Sequence, residues 1–118
     1  MVANKASIEM IKAVHEDKAA EINGREYKIL AFNHHNRLKV FAYFTKVQHQ
    51  LQAGNFEFMG TDEWQKIEKL ICDKASFDDM ILSKSPKHFE EYAEDYIIFI
   101  STMMGAISFP FLKGNLTA

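Results

Sequence analysis

Cysteine, proline and glycine are all scarce in this chain of 118 residues, with one, two and five copies respectively. A single thiol, Cys72, closes no internal disulfide, so nothing in the sequence asks for an oxidising compartment. A dominant charge of one sign is missing too. The formal net charge is −2, which supplies no field to gather nucleic acid, and no stretch reads as a basic arm. The opening MVANKASIEM has no apolar h-region and carries Lys5 and Glu9, so a secretory leader is not expected. Internal repeats, low-complexity segments, a phosphate-cradling glycine loop, a nucleophile elbow and a Walker pattern are also lacking.

What is there is an ordinary globular balance, 47% hydrophobic and 25% charged, at a length that suits one domain over 1–118 with a core of its own. Ten phenylalanines have to be buried, either in that core or in an interface.

Periodicity sets the expected elements. Met10, Ile11 and Val14 form an apolar stripe over 7–18, with Ser7 as N-cap, and predict a short helix. Asn23-Gly24 is the residue pair that tolerates φ > 0 at both central positions of a type I′ turn, which predicts a hairpin over 19–30. A two-residue turn sets Ile22 against Arg25, Glu21 against Glu26 and Ala20 against Tyr27. Ala20, Ile22, Tyr27 and Ile29 then share one face, with Glu21, Glu26 and Lys28 on the other. Val40, Phe44, Val47 and Leu51 predict an amphipathic helix over 34–52, flanked by Phe41 and Tyr43 and ended by Ala53-Gly54-Asn55. Thr61 caps a helix over 62–73, with Asp62 and Glu63 in its first turn and Trp64, Ile67, Leu70 and Ile71 on its apolar face. SFDDMILSKS reads as a connector with room for a short strand. Ser85-Pro86 opens a helix over 86–107, with a kink near Ala93, and Pro110 is expected to stop it. A loose tail follows over 113–118. The fold class expected is α+β, mainly α-helical: a small helical domain with an N-terminal β-hairpin.

No residue pattern points to catalysis. His34 and His35 are adjacent, and on a helix they point about 100° apart. His35 and His49 stand roughly 21 Å apart along a helix. No histidine pair has the three- or four-residue spacing of a helical metal site. Asp78-Asp79 lacks the further oxygen ligands that calcium requires. Cys72 ends an apolar helix face and reads as a small hydrophobe. The carboxylates are numerous but scattered over helix faces, so the sequence argues for no glycosidase-like pair. The expectation is a non-enzymatic protein with no catalytic residues, no metal and no cofactor.

The C-terminal stretch YIIFISTMMGAISFPFL, Tyr96 to Leu112, has no charge. It reaches only the lower limit for a membrane span, near 17 residues. Pro110 lies inside it, and Ser101, Thr102, Gly105 and Ser108 dilute it. A core helix with a partner-binding face fits this composition better than an anchor. The candidate protein-binding residues are Phe99, Met103, Met104, Phe109 and Phe111, with Phe56 and Phe58 in the loop before the third helix.

A short helix leads into EINGREYKIL and a long amphipathic helix. DEWQKIEKLI, SPKHFEEYAEDYIIFISTMM and a terminal SFPFLKGN follow. This order of parts resembles the tail assembly chaperones of long-tailed, siphovirus-like bacteriophages and prophages. The likeness covers nearly the whole chain as an arrangement, carried by the NGREY hairpin, His88-Phe89 leading to Tyr96, and Phe109-Pro110-Phe111. It implies a non-enzymatic protein of the bacterial host cytoplasm. Such a protein binds the tape measure protein, keeps it soluble while tail tube protein polymerises around it, self-associates, and is absent from the finished virion. The contrasting expectations are a structural or connector protein retained in the virion, and a small C-terminally anchored membrane protein.

Many such chaperones also have a longer, frameshifted form. Phe111-Leu112-Lys113 is compatible with codons TTT TTA AAA, which contain a slippery heptamer. The gene is expected to carry that heptamer with an overlapping downstream frame; other codons and no overlap would remove the frameshift.

Overall fold

The Asn23-Gly24 turn adopts the backbone its residue types favour, with φ of 52° and 81°. It joins β1 (Ala19–Ile22) to β2 (Arg25–Ile29). The register is the predicted one, Ala20 opposite Tyr27, Glu21 opposite Glu26 and Ile22 opposite Arg25. Ala20, Ile22 and Tyr27 are buried, and Ile29 packs at the edge of the same core. The structure is a computed structural model that describes residues 14, 16 and 18–116, with side chains through 111. The helix expected over 7–18 lies outside the described residues except at Val14 and Glu16, which are helical. Lys18 donates its N–H to Val14 O at 2.8 Å and has φ of 61°.

The hairpin is half of a sheet. β3 (Ala75–Phe77) and β4 (Met80–Ile81) extend it in the order β1-β2-β3-β4, every pair antiparallel. Tyr27 faces Phe77 and Ile29 faces Ala75. The connector expected over 76–85 thus holds most of a second tight hairpin, followed by a 3₁₀ turn at Leu82–Lys84. Asp78 and Asp79 turn the hairpin with φ of 51° and 62°, a left-handed conformation that short polar side chains tolerate better than most.

Between the two hairpins the chain makes two helices. α1 (His34–Ala53) begins at Asn33, whose side chain accepts from Asn36 N at 2.8 Å, and ends at Gly54 with φ of 75°. Val40, Tyr43 and Val47 are its buried residues. Tyr43 therefore goes deeper than Phe44, which the stripe had placed at the centre. α2 (Asp62–Cys72) is capped by Thr61, whose hydroxyl accepts from Trp64 N at 3.2 Å, and buries Trp64, Ile67 and Ile71. Tyr43, Phe58 and Trp64 pack as one ring cluster, with Phe58 edge-on to Trp64 at 5.5 Å.

The helix expected over 86–107 is not one helix. α3 (His88–Glu91) is a single turn, Ala93–Asp95 is a 3₁₀ turn, and α4 (Tyr96–Leu116) starts afresh. The break falls at Tyr92, whose φ of −116° and ψ of 51° are not helical. Its cause is Asp95, which is held by the first hairpin rather than by its own helix. Pro110 does not stop α4 either; the helix runs on to Leu116, into the expected loose tail. Proline removes one N–H and crowds the preceding turn, at about 3 kcal/mol. The same turn is tied to α1, where Arg37 Nη1 donates to Ile107 O at 2.8 Å, although the carbonyl that Pro110 deprives of a donor is that of Ala106. Burial on the same helix offsets the cost, because Phe99, Ile100, Met103, Met104, Ala106 and Ile107 are all in the core. The fold is α+β and mainly helical, and among the described residues no helix is long and apolar enough to cross a membrane.

Candidate functional site

Two features stand apart from the ordinary core: a buried polar cluster where the first hairpin meets α4, and an open groove between α1 and α2.

The polar cluster is built on Asp95, which is fully buried. One carboxylate oxygen accepts from Asn23 Nδ2 at 2.7 Å and Arg25 Nη2 at 2.9 Å. The other accepts from Arg25 Nε and the Tyr27 hydroxyl, each at 2.6 Å. All three donors come from one hairpin, and Arg25 also reaches Glu94 at 2.7 Å and stacks over Tyr92. His88 Nε2 lies 2.8 Å from the Tyr27 hydroxyl. Because that hydroxyl donates to Asp95, it accepts from the Nε2–H of His88.

The electrostatics follow from the geometry. Arg25, with Tyr27 and Asn23, holds the Asp95 carboxyl down to about 2. Burial, reinforced by Asp95, pushes the Tyr27 phenol well above its usual range. Burial lowers His88. A histidine, a tyrosine and a carboxylate in a row resemble a proton relay on paper. A carboxylate offers about four acceptor positions, and hairpin donors take all of them. Tyr27 is itself fully buried among Phe77, Phe89 and Phe99. The cluster is therefore a clamp between secondary-structure elements, with its carboxylate and its phenol both fully buried. Arg25 was the missed signal. By strand alternation it shares the apolar face of Tyr27 and Ile29, and an arginine on such a face requires a buried acceptor.

The groove is different, since it is open. It measures ≈ 590 Å³ and is lined by Lys39, Ala42, Tyr43 and Lys46 of α1 and Glu63, Lys66, Ile67 and Leu70 of α2. At about 100° per residue, Lys46 lies across α1 from Arg37, and Lys39 nearly so from Phe41. Arg37 and Phe41 are among the residues that meet α4. One side of α1 is thus occupied, and the other, with the adjoining side of α2, forms the groove walls. Lys46 Nζ and Glu63 meet across one end at 2.6 Å. A second hollow of ≈ 350 Å³ lies beside β2, walled by Val14, Ile29, Phe32, Arg37, Ala106 and Ile107 among others.

The expected contact residues are only partly at the surface. Phe99, Met103 and Met104 are fully buried, and Phe58 is 7% exposed. The apolar run of α4 fills the core first, so Phe99, Met103 and Met104 offer no surface in this conformation, and Phe58 is taken up by packing on Tyr43 and Trp64. Phe109 and Phe111 are half-buried, and Phe111 packs on Phe41 and His34. Phe56 alone is open, at 39%. Burial pushes the Cys72 thiol up to about 12, which leaves it inert near neutrality. Among the described residues no three His, Cys, Asp or Glu side chains come together as a metal site. No family model, curated protein or solved structure matches this chain.

The clamp makes stability fall on acidification in two stages. His88 is depressed in the fold, so the unfolded chain takes up its proton first and stability declines as pH drops below about 6.5. Asp95 is depressed as well, with Asp73 beside Ser83 and Lys69 adding to it. Their contribution is lost as pH falls from about 4 toward 2. Urea unfolding across pH is expected to show both declines in the parent, and only the lower one in His88→Gln. An unchanged profile in that variant would remove His88 from the clamp.

Proposed function

We propose that this protein is a non-enzymatic tail assembly chaperone of a long-tailed phage or prophage, which covers an apolar stripe of the tape measure protein until tail tube protein replaces it. Two lines support the reading: the order of parts in the sequence, and the open groove between α1 and α2. The groove is the observation that carries it. Its floor, made by Ala42, Tyr43, Ile67 and Leu70, is apolar and lies between two helices, which is how a third, amphipathic helix is received. A tape measure is a long helix whose bare stripe would aggregate. Many weakly held copies along one template would cover it and still come off, because affinity is shared among the sites. The client surface in this reading is the groove, with Phe56 as the expected contact that remains exposed. Helix α4, which carries most of the residues first expected to bind, is instead the support behind it.

Co-expression with the tape measure protein of the same genome is expected to raise that protein's soluble fraction several-fold. Ala42→Arg, which fills the groove from an exposed helix position, is expected to abolish the effect while leaving the chain's own thermal unfolding within a few degrees of the parent. A tape measure equally insoluble with and without the chain would refute the chaperone reading. The chain is also expected to be missing from purified particles by mass spectrometry. Finding it there at stoichiometric levels would favour a retained connector.

A further inference from the structure

The rim of the groove carries a local excess of positive charge. Lys39, Lys46 and Lys66 line it against a single carboxylate, Glu63, in a chain whose formal net charge is −2. Glu63 is engaged with Lys46, and neither Lys39 nor Lys66 faces a carboxylate among the residues that line the groove. All three lysines are exposed, so their stems can lie along an apolar occupant while the ammonium groups meet its flanks.

We propose that the groove binds an acidic amphipathic helix of a partner protein, with a narrow apolar stripe seated on Ala42, Tyr43, Ile67 and Leu70, and glutamates or aspartates along its flanks meeting Lys39 and Lys66. The groove runs from Lys39 to Lys46 on α1, about 10 Å or two helical turns. That length matches an i to i+7 spacing of apolar residues on the occupant. Its walls are two helices with no strand edge, so an extended peptide would find no backbone to pair with. Among the described residues, the acidic stretch Glu90, Glu91 and Glu94 of a second copy does not suit it, because it sits on a one-turn helix and a 3₁₀ turn. Its neighbouring rings, Phe89 and Tyr92, are turned toward Tyr27, Phe77 and His88. The proposal rests on the groove being the client site, and it names the chemistry of that client.

The test uses the full chain and a pair of labelled synthetic helices of about 18 residues, five turns, with the same leucine stripe flanked by glutamates in one and lysines in the other. Fluorescence anisotropy is expected to show the glutamate helix bound about tenfold more tightly, with the preference fading in high salt. Lys39→Glu/Lys66→Glu, at exposed positions that leave the helical circular dichroism and unfolding temperature unchanged, is expected to reverse the preference. Equal affinity for both helices, or an unaltered preference in the double variant, would overturn the proposal. So would a change in the protein's own mass in solution caused by the double variant, because that would place a second copy in the groove. Binding of the glutamate helix without any effect on the tape measure would leave this inference standing and remove the phage assignment instead.

Discussion

A single buried carboxylate decides how this chain closes. Asp95 lies near the middle of a stretch whose sequence pattern is helical, yet its side chain is spent on Asn23, Arg25 and Tyr27 some seventy residues earlier. Four short hydrogen bonds to one carboxylate fix position and direction together. The hairpin cannot slide along its partner without breaking several of them, and helix α4 cannot begin before Asp95 without pulling the carboxylate away. The break at Tyr92 follows from this, and so does the start of α4 at Tyr96. Buried ion pairs contribute little net stability when compared with apolar replacements, because desolvation opposes them. What the clamp supplies is one arrangement of hairpin against helix, where apolar packing alone would tolerate several.

With the start of α4 fixed, the rest of the layout is constrained. Its apolar residues, from Phe99 to Ile107, are drawn into the core beneath the sheet and α1. Arg37 and Phe111 tie the far end of α4 to α1. Tyr96 sits where α4 passes α2: its hydroxyl donates to Glu68 and accepts from Trp64 Nε1. α1 and α2 are thereby supported from one side, with Tyr43 and Ile67 near the surface between them. The groove is a by-product of helix packing from a single side. Its lysine rim is a feature of sequence that packing does not require.

Local chemistry was legible in the sequence and long-range chemistry was not. The Asn23-Gly24 turn, the Thr61 cap and the Gly54 terminus each depend on a few neighbouring residues, and each formed as its residue types require. The second hairpin was hidden because Asp-Asp is a weak turn pair and its strands are only three and two residues long. An interruption near Ala93 was legible in 86–107, but its depth was not, because its cause lies in the contact of Asp95 with Arg25. Pro110 was read as a stop by a rule for helix interiors that leaves out burial elsewhere on the same helix. The aromatic and methionine residues of α4 were read as a binding face because the run exceeds what one helix stripe needs. In the structure α4 is surrounded widely enough to bury most of them. The groove escaped notice since it combines two helices whose relative placement no local pattern states.

The clamp is tested most directly by a double-mutant cycle on Arg25 and Asp95, read by urea unfolding at neutral pH with Arg25→Met, Asp95→Leu and the pair. Each single change leaves polar partners of the clamp unpaired and is expected to lower the urea midpoint clearly. The double variant is expected to lose less than the two singles together by at least about 2 kcal/mol, the signature of coupled groups. Single losses below about 1 kcal/mol that simply add would mean that the two residues act independently, and that something other than this ion pair sets the hairpin against α4.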